Sequence, residues 1–347
     1  MLDQKLGLNN SNILTIDFLN TIFILTVLYL HHTMYTIYNI ILLPEYNLNI
    51  YLQKMAVGGF LFLSGFKLTC SKIEYPAKLF IINRFFKIYL PYLIAIICYS
   101  FFVFPYINKG QLPDYKNVII HVLGIQSIFP NFFGSSFITL WFVSILFICY
   151  IYFLLTRNII NRTILFLITQ IFTISVIYII QKYSNFIIGF EFFSKDVIIY
   201  LSYFAAGMLY AKNYKLNKIS SILLISISAL FFFIALYFNT YKNELFNKEF
   251  FFNFSCIISN ILFYILIFKH FKNLPLSHQI SSLIINISFA SFFVFLFHRP
   301  IWSIMNFVWF EVSLLHSFYI IIFAPIIIFI GCHKFQSFYN RTILRYN

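Results

Sequence analysis

Ten apolar runs, each near twenty residues and each bounded by charge, Pro, Gly or Asn, decide what this chain can fold into. A helix of about 20 residues crosses a roughly 30 Å hydrocarbon core, where every backbone polar group must be satisfied within the segment. The runs fall at about 13–32, 50–69, 86–107, 137–155, 163–181, 196–211, 219–238, 250–268, 281–304 and 314–333. Composition agrees, because only 10% of the 347 residues are charged and a soluble surface needs about a quarter. The expected fold is all-α: a polytopic membrane helical bundle of about ten transmembrane helices, forming a single integral-membrane domain over 1–347.

The loop charges orient this bundle. Lys5, Lys67, Lys72, Lys78, Arg84, Lys87, Arg157, Arg162, Lys212, Lys215, Lys218, Lys269, Lys272, Lys334, Arg341 and Arg345 fall on the N-terminal side. The opposite loops hold only Lys109, Lys116, Lys182, Lys195, Lys242 and Lys248. The positive-inside bias then places both termini in the cytoplasm. The same segregation accounts for the net charge of +14. It excludes nucleic acid as a partner, since no soluble domain carries a basic patch. Lys5 precedes the first run, which ends in bulky Tyr29, Leu30 and His31 with no small-x-small cleavage site, so a retained signal anchor is expected. Cys70, Cys98, Cys149, Cys256 and Cys332 make no Cys-x-x-Cys pair, and neither a disulfide framework nor a metal site is indicated.

Polar residues inside such runs mark function or helix pairing. In the first run Asp17, Asn20 and His31 share one helical face: 14 residues at about 100° each leave Asp17 and His31 roughly 40° apart. His32 lies off that line. Arg84 and Lys87, at i, i+3 spacing, open the third run on one face, either as headgroup anchors or as donors to a phosphate-bearing ligand. The second run carries Gly58, Gly59, Ser64 and Gly65, suited to close helix approach or to a ligand passing near the backbone. The loop of about 108–136, with Gly110, Pro113, His121, Gly124, Pro130 and Gly134, reads as a re-entrant or interfacial segment where an acceptor could dock. Trp141 opens the fourth run at the outer interface. Asn253, Ser255, Ser259 and Asn260 read as interhelical hydrogen-bonding groups. His298 and Arg299 close the ninth run, as an interface anchor or as a buried site pair. No P-loop, nucleotide-binding glycine fingerprint, His-x-x-x-His or nucleophile elbow is present.

These residues resemble the acyltransferase 3 family, bacterial membrane enzymes that O-acylate, mostly O-acetylate, surface polysaccharides. The family opens its first span with Leu-Asp-x-Leu-Arg and places a His 11 residues after that Arg. Here Ile16-Asp17-Phe18-Leu19-Asn20 stands in the pattern, and the eleventh residue after Asn20 is His31. The family's Phe-Phe-x-x-Ser-Gly-Phe resembles Phe60 to Phe66, and its Arg-x-x-Arg followed by proline resembles Arg84-Phe85-Phe86-Lys87 followed by Pro91. Its Leu-Trp-Phe-Leu is similar to Leu140 to Val143, and its late His-x-Pro to His298-Arg299-Pro300. Asn20 and Lys87 each stand where the family has Arg.

The resemblance implies acetyl-CoA or another acyl-CoA as donor, bound from the cytoplasm. The acceptor would be a sugar hydroxyl of a polysaccharide or lipid-linked glycan, with the protein integral to the bacterial cytoplasmic (inner) membrane. His31 is then the catalytic residue, as general base or as transient acyl carrier. Arg84, Lys87, Asp17, Asn20 and Ser64 fall to the donor side. His298, Arg299 and Trp141 fall to the acceptor or oxyanion side. A transporter or flippase for a lipid-linked glycan or small solute is the rival from another class, and a membrane scaffold without activity is the third reading.

Overall fold

The computed structural model describes residues 10–32, 35, 46–71, 76–132, 135–213, 220–240, 248–271, 274–308 and 314–344. Lys5, Lys72, Gly134, Lys215, Lys218, Lys242, Lys272 and Arg345 lie outside them. Among the described residues every regular element is helical. In chain order these are α1 (Asn10–His32), α2 (Tyr46–Cys70), α3 (Ala77–Ile107), α4 (Tyr115–Val122), α5 (Trp141–Thr156) and α6 (Thr163–Ile188). Then follow α7 (Asp196–Asn213), α8 (Ser221–Thr240), α9 (Lys248–His270), α10 (His278–Val308) and α11, which joins Leu314–Phe318, Tyr319–Phe323 and Ala324–Thr342.

Each of the ten apolar runs falls on a helix. Among the described residues seven helices, α1, α3, α6, α8, α9, α10 and α11, are long and apolar enough to cross a bilayer on their own. The other three are shorter or more polar: α5 has 16 residues, α7 has 18, and α2 contains Gln53, Lys54 and Lys67. Packing explains how α2 and α7 fit. They lie against each other, and a Cβ built at Gly65 would strike the Phe204 carbonyl oxygen, while one at Gly207 would strike that of Phe62. Backbones that close shield polar groups from lipid, so hydropathy is not demanded along the whole helix. The close-approach reading of the second run's glycines therefore holds for Gly65.

Three helix irregularities among the described residues sit just before a proline. The three π turns at Phe85–Tyr89, Tyr99–Val103 and Tyr319–Phe323 are centred on Lys87, Phe101 and Ile321. Each centre lies four residues before a proline, at Pro91, Pro105 and Pro325. Proline cannot donate to the carbonyl four residues back and its ring crowds it, and a one-turn π bulge relieves both.

The bundle has a centre and a rim. Half of the most apolar stretch is buried in α1 and α10, against 11% in α6 and α8. Ile164, Ile168, Ile171 and Phe172 of α6 are exposed, as lipid-facing residues would be. α10 packs on both α1 and α11, and α1 also packs on α2. The polar face of α1 thus meets α10 in the middle of the molecule.

Candidate functional site

Two histidines meet at one end of the α1–α10 pair. His31 lies in the last turn of α1, and its Nδ1 lies 2.9 Å from the Val27 carbonyl and 3.3 Å from His298 Nε2. His298 is fully buried, with Nδ1 2.9 Å from each of the Val294 and Phe295 carbonyl oxygens. Two carbonyls can only accept, so His298 carries its proton on Nδ1 and offers a lone pair at Nε2. His31 Nδ1 therefore faces two acceptors and carries its own proton. With both rings neutral, the lone pair of His31 is left on Nε2, the atom a general base needs. Arg299 is also fully buried and lies within electrostatic reach of His31, Tyr35 and Tyr99. His32 turns elsewhere, bonded to the Tyr29 carbonyl with its ring beside Tyr29.

At the other end of the pair, Ser288 Oγ–H donates to Asp17 Oδ1 at 2.6 Å, and Asn20 Nδ2 donates to Ser288 Oγ at 3.2 Å. Thr21 Oγ1 adds a bond to the Ile284 carbonyl at 3.1 Å. The shared face of Asp17, Asn20 and His31 expected from spacing is real, and α10 is what it faces. Residue numbers rise together along the two helices, from Asp17 and Ser288 to His31 and His298, so the helices run parallel.

In the third span a π turn at Phe85–Tyr89 begins directly after Arg84 and contains Lys87, so the spacing between the two is not that of a regular α-helix. Arg84 is half-buried, its guanidinium over the Phe80 and Tyr150 rings at 5.0 and 5.2 Å, and among the described residues its Nε has no hydrogen-bond partner. Lys87 is exposed. Lys67 of α2, counted from the sequence as a loop cation, lies within electrostatic reach of both Asp17 and Arg84. Ser64 is half-buried one residue before the tight contact at Gly65.

The described part of the 108–136 loop re-enters the bundle at its apolar stretch. Tyr89 and Tyr92 of α3 donate to the Val122 and His121 carbonyls, both at 2.6 Å, well down α3 from its end at Ile107. Gln126 Nε2 ties the returning chain to the Leu140 carbonyl at 2.9 Å, and the His121 ring stacks on Phe137 at 4.5 Å. Trp141 is half-buried against Tyr200 at 5.1 Å and is not among the residues around the histidine pair. Those are residues the motifs did not include. Tyr35 Oη–H points to the Arg299 carbonyl at 3.4 Å and lies 3.3 Å from Ser303 Oγ. Trp302 lies edge-on to His298 at 5.5 Å, and Asn306 Nδ2 donates to Tyr106 Oη at 2.9 Å. Trp302 follows His298 by one helical turn, a spacing that does place it on the same face. Tyr35 has no such signal, since the partners of its hydroxyl lie in α10. The five cysteines are free thiols, and among the described residues no three of His, Cys, Asp or Glu converge as a metal site.

A family model described as an acyltransferase domain matches residues 13–333, nearly the whole chain. No curated protein and no solved structure matches it.

Proposed function

Because the chain belongs to the acyltransferase 3 family, we propose that it is a membrane O-acyltransferase that moves an acyl group, acetyl foremost, from acyl-CoA to a sugar hydroxyl of an exported polysaccharide or its lipid-linked precursor. The observation that carries this reading is the His31–His298 contact, which leaves His31 Nε2 as an oriented base beside a buried arginine. We place the protein in a bacterial cytoplasmic membrane with ten crossings and both termini inside. The parallel run of α1 and α10 is what a first and a ninth crossing require, and the loop charges favour the same orientation.

The donor enters from the cytoplasm and meets Arg84. Among the described residues the half-buried Arg84 Nε has no hydrogen-bond partner, and with Lys67 nearby it suits the phosphates of coenzyme A, since charge-assisted bonds to phosphate are the strong ones. Lys87, on the outer face of the π turn, guides the anion from the headgroup region, and Ser64 lines the way inward. Asp17 and Asn20 close on Ser288 and hold α1 to α10, a supporting role at the donor end. From Asp17 the helix climbs about 21 Å to His31, so the donor's long arm carries its thioester to the histidine pair.

At that level His31 Nε2 removes the proton from the acceptor hydroxyl as its oxygen attacks the thioester carbonyl. Arg299 balances the charge that develops on the carbonyl oxygen. The C–S bond breaks, the thiolate takes the proton back from His31, and the sugar ester and free coenzyme A leave on opposite sides. Purified protein in nanodiscs tests this with acetyl-CoA and a de-esterified envelope glycan: an ester on the glycan and one free thiol released per ester are expected. Translocation of glycan or solute in liposomes without ester formation would overturn it in favour of a carrier.

A further inference from the structure

A row of aromatic rings leads from the histidine pair to the exposed surface. Trp302 lies edge-on to His298, with centroids 5.5 Å apart. Tyr35 sits 5.5 Å from Trp302, and Tyr106 stacks on Tyr35 at 5.5 Å and 23°. Exposure rises along the row, from 0% at Trp302 and 3% at Tyr35 to 42% at Tyr106. Asn306 holds the outer part together, donating from Nδ2 to the Tyr35 carbonyl at 3.3 Å and to Tyr106 Oη at 2.9 Å.

One polar atom in this row is out of place. Among the described residues the indole N–H of Trp302, in a fully buried side chain, has no acceptor. A buried donor left unpaired costs about 1–3 kcal/mol, and native folds seldom leave one without a use. The neighbouring Tyr35 follows the ordinary rule, since its hydroxyl reaches Ser303 and the Arg299 carbonyl. Trp302 also lies one turn past His298 in the direction that α1 and α10 both run, which is the acceptor side of the proposed reaction.

We propose that Trp302 and Tyr106 form the acceptor subsite: an outer sugar of the glycan packs on the exposed face of Tyr106, and Trp302 Nε1–H donates to an oxygen of the residue further in, the one being acylated. Aromatic faces with a few directed donors match a saccharide, which offers C–H faces and many acceptor oxygens, better than they match a phosphate or a carboxylate. The site sets which hydroxyl reaches His31, because a sugar held at Trp302 presents only the neighbouring hydroxyl to Nε2.

This inference rests on the acyltransferase reading, and one experiment separates the two. Wild-type protein, Trp302→Phe and Tyr106→Ala are reconstituted in nanodiscs and assayed with acetyl-CoA and the mild-alkali-treated envelope glycan of the source cells. Trp302→Phe keeps a large ring but removes the donor. It is expected to raise the acceptor KM roughly threefold to tenfold, the worth of one neutral hydrogen bond, while the acetyl-CoA KM moves by less than about twofold. Tyr106→Ala should show the same split, with its thermal unfolding compared with wild type to register the lost contacts to Tyr35 and Asn306. An unchanged acceptor KM in both variants, or an equal rise in both KM values, would overturn the subsite. Wild-type protein that transfers nothing to the glycan would instead overturn the reading on which the subsite rests.

Discussion

At one end the α1–α10 pair joins Asp17 and Asn20 to Ser288; at the other it brings His31 to His298 beside Arg299. Both ends lie on one polar face of α1, and both would be equally costly in lipid. They differ in what is left over once the helices pair. Around Ser288 a short hydroxyl serves as donor to the carboxylate and acceptor from the amide, which suits a helix clamp. Around His298 two backbone carbonyls claim one imidazole, the second imidazole faces that claimed ring, and a lone pair on His31 is left to react. Polar groups at a helix contact are therefore not equivalent evidence of chemistry; the distribution of donors and acceptors decides.

The largest test of this contrast is His31→Ala. Removal of a general base costs on the order of 10²–10⁴-fold, so glycan esterification should fall by that factor while the protein still purifies as wild type. NMR of the glycan made in cells lacking the native gene reads this directly; normal esterification would remove His31 from the reaction. His298→Ala comes next. It takes away the ring beside His31 Nδ1, and a base displaced by about 1 Å can lose about 10²-fold in kcat. Donor KM should stay near the wild-type value, and a loss confined to donor KM would contradict a positioning role.

Smaller effects belong to the end proposed to hold the donor. Arg84→Ala should raise the acyl-CoA KM roughly tenfold to a hundredfold, the equivalent of one charged hydrogen bond. Arg84→Lys should recover only part of this, because the ammonium lacks the planar fork. Lys87→Ala should do less than Arg84→Ala, and the reverse ranking would show that the exposed cation holds the phosphates. On kcat the smallest effect belongs to Ser288→Ala, which removes two interhelical hydrogen bonds and should cost about 1–3 kcal/mol in thermal unfolding, at about 0.6–1.7 kcal/mol each within a membrane, with kcat unmoved. A large fall in kcat would mean that the clamp end takes part in chemistry and would erase the contrast.

Much of this was legible along the chain because its causes are local. The common face of Asp17, Asn20 and His31 follows from 3.6-residue periodicity, and the helices follow from the lengths of the apolar runs. The π turns were less readable: each precedes a proline, at Pro91, Pro105 and Pro325, yet Pro300 sits inside α10 without one, and spacing taken at α-helical pitch does not register the turn that holds Lys87. Trp141 carried a motif and stands against Tyr200, whereas Trp302 carried none and stands beside His298. A motif marks a residue type at a spacing, and only packing says which tryptophan the histidines meet.

By itself the sequence determined a helical membrane chain, the positive bias of its loops, the polar face of α1 and the histidine on it. The tertiary structure decided the partners: Ser288 for Asp17 across 271 residues, His298 for His31 across 267, and Ser303 for Tyr35 across 268. The physical reason is that hydropathy and periodicity are sums over neighbours in the chain. In a bilayer a face turned to lipid and a face turned to another helix are both apolar, so the pattern of one helix does not name the helix it meets. That choice is made by the close fit of Gly65 and Gly207 and by where buried donors find acceptors.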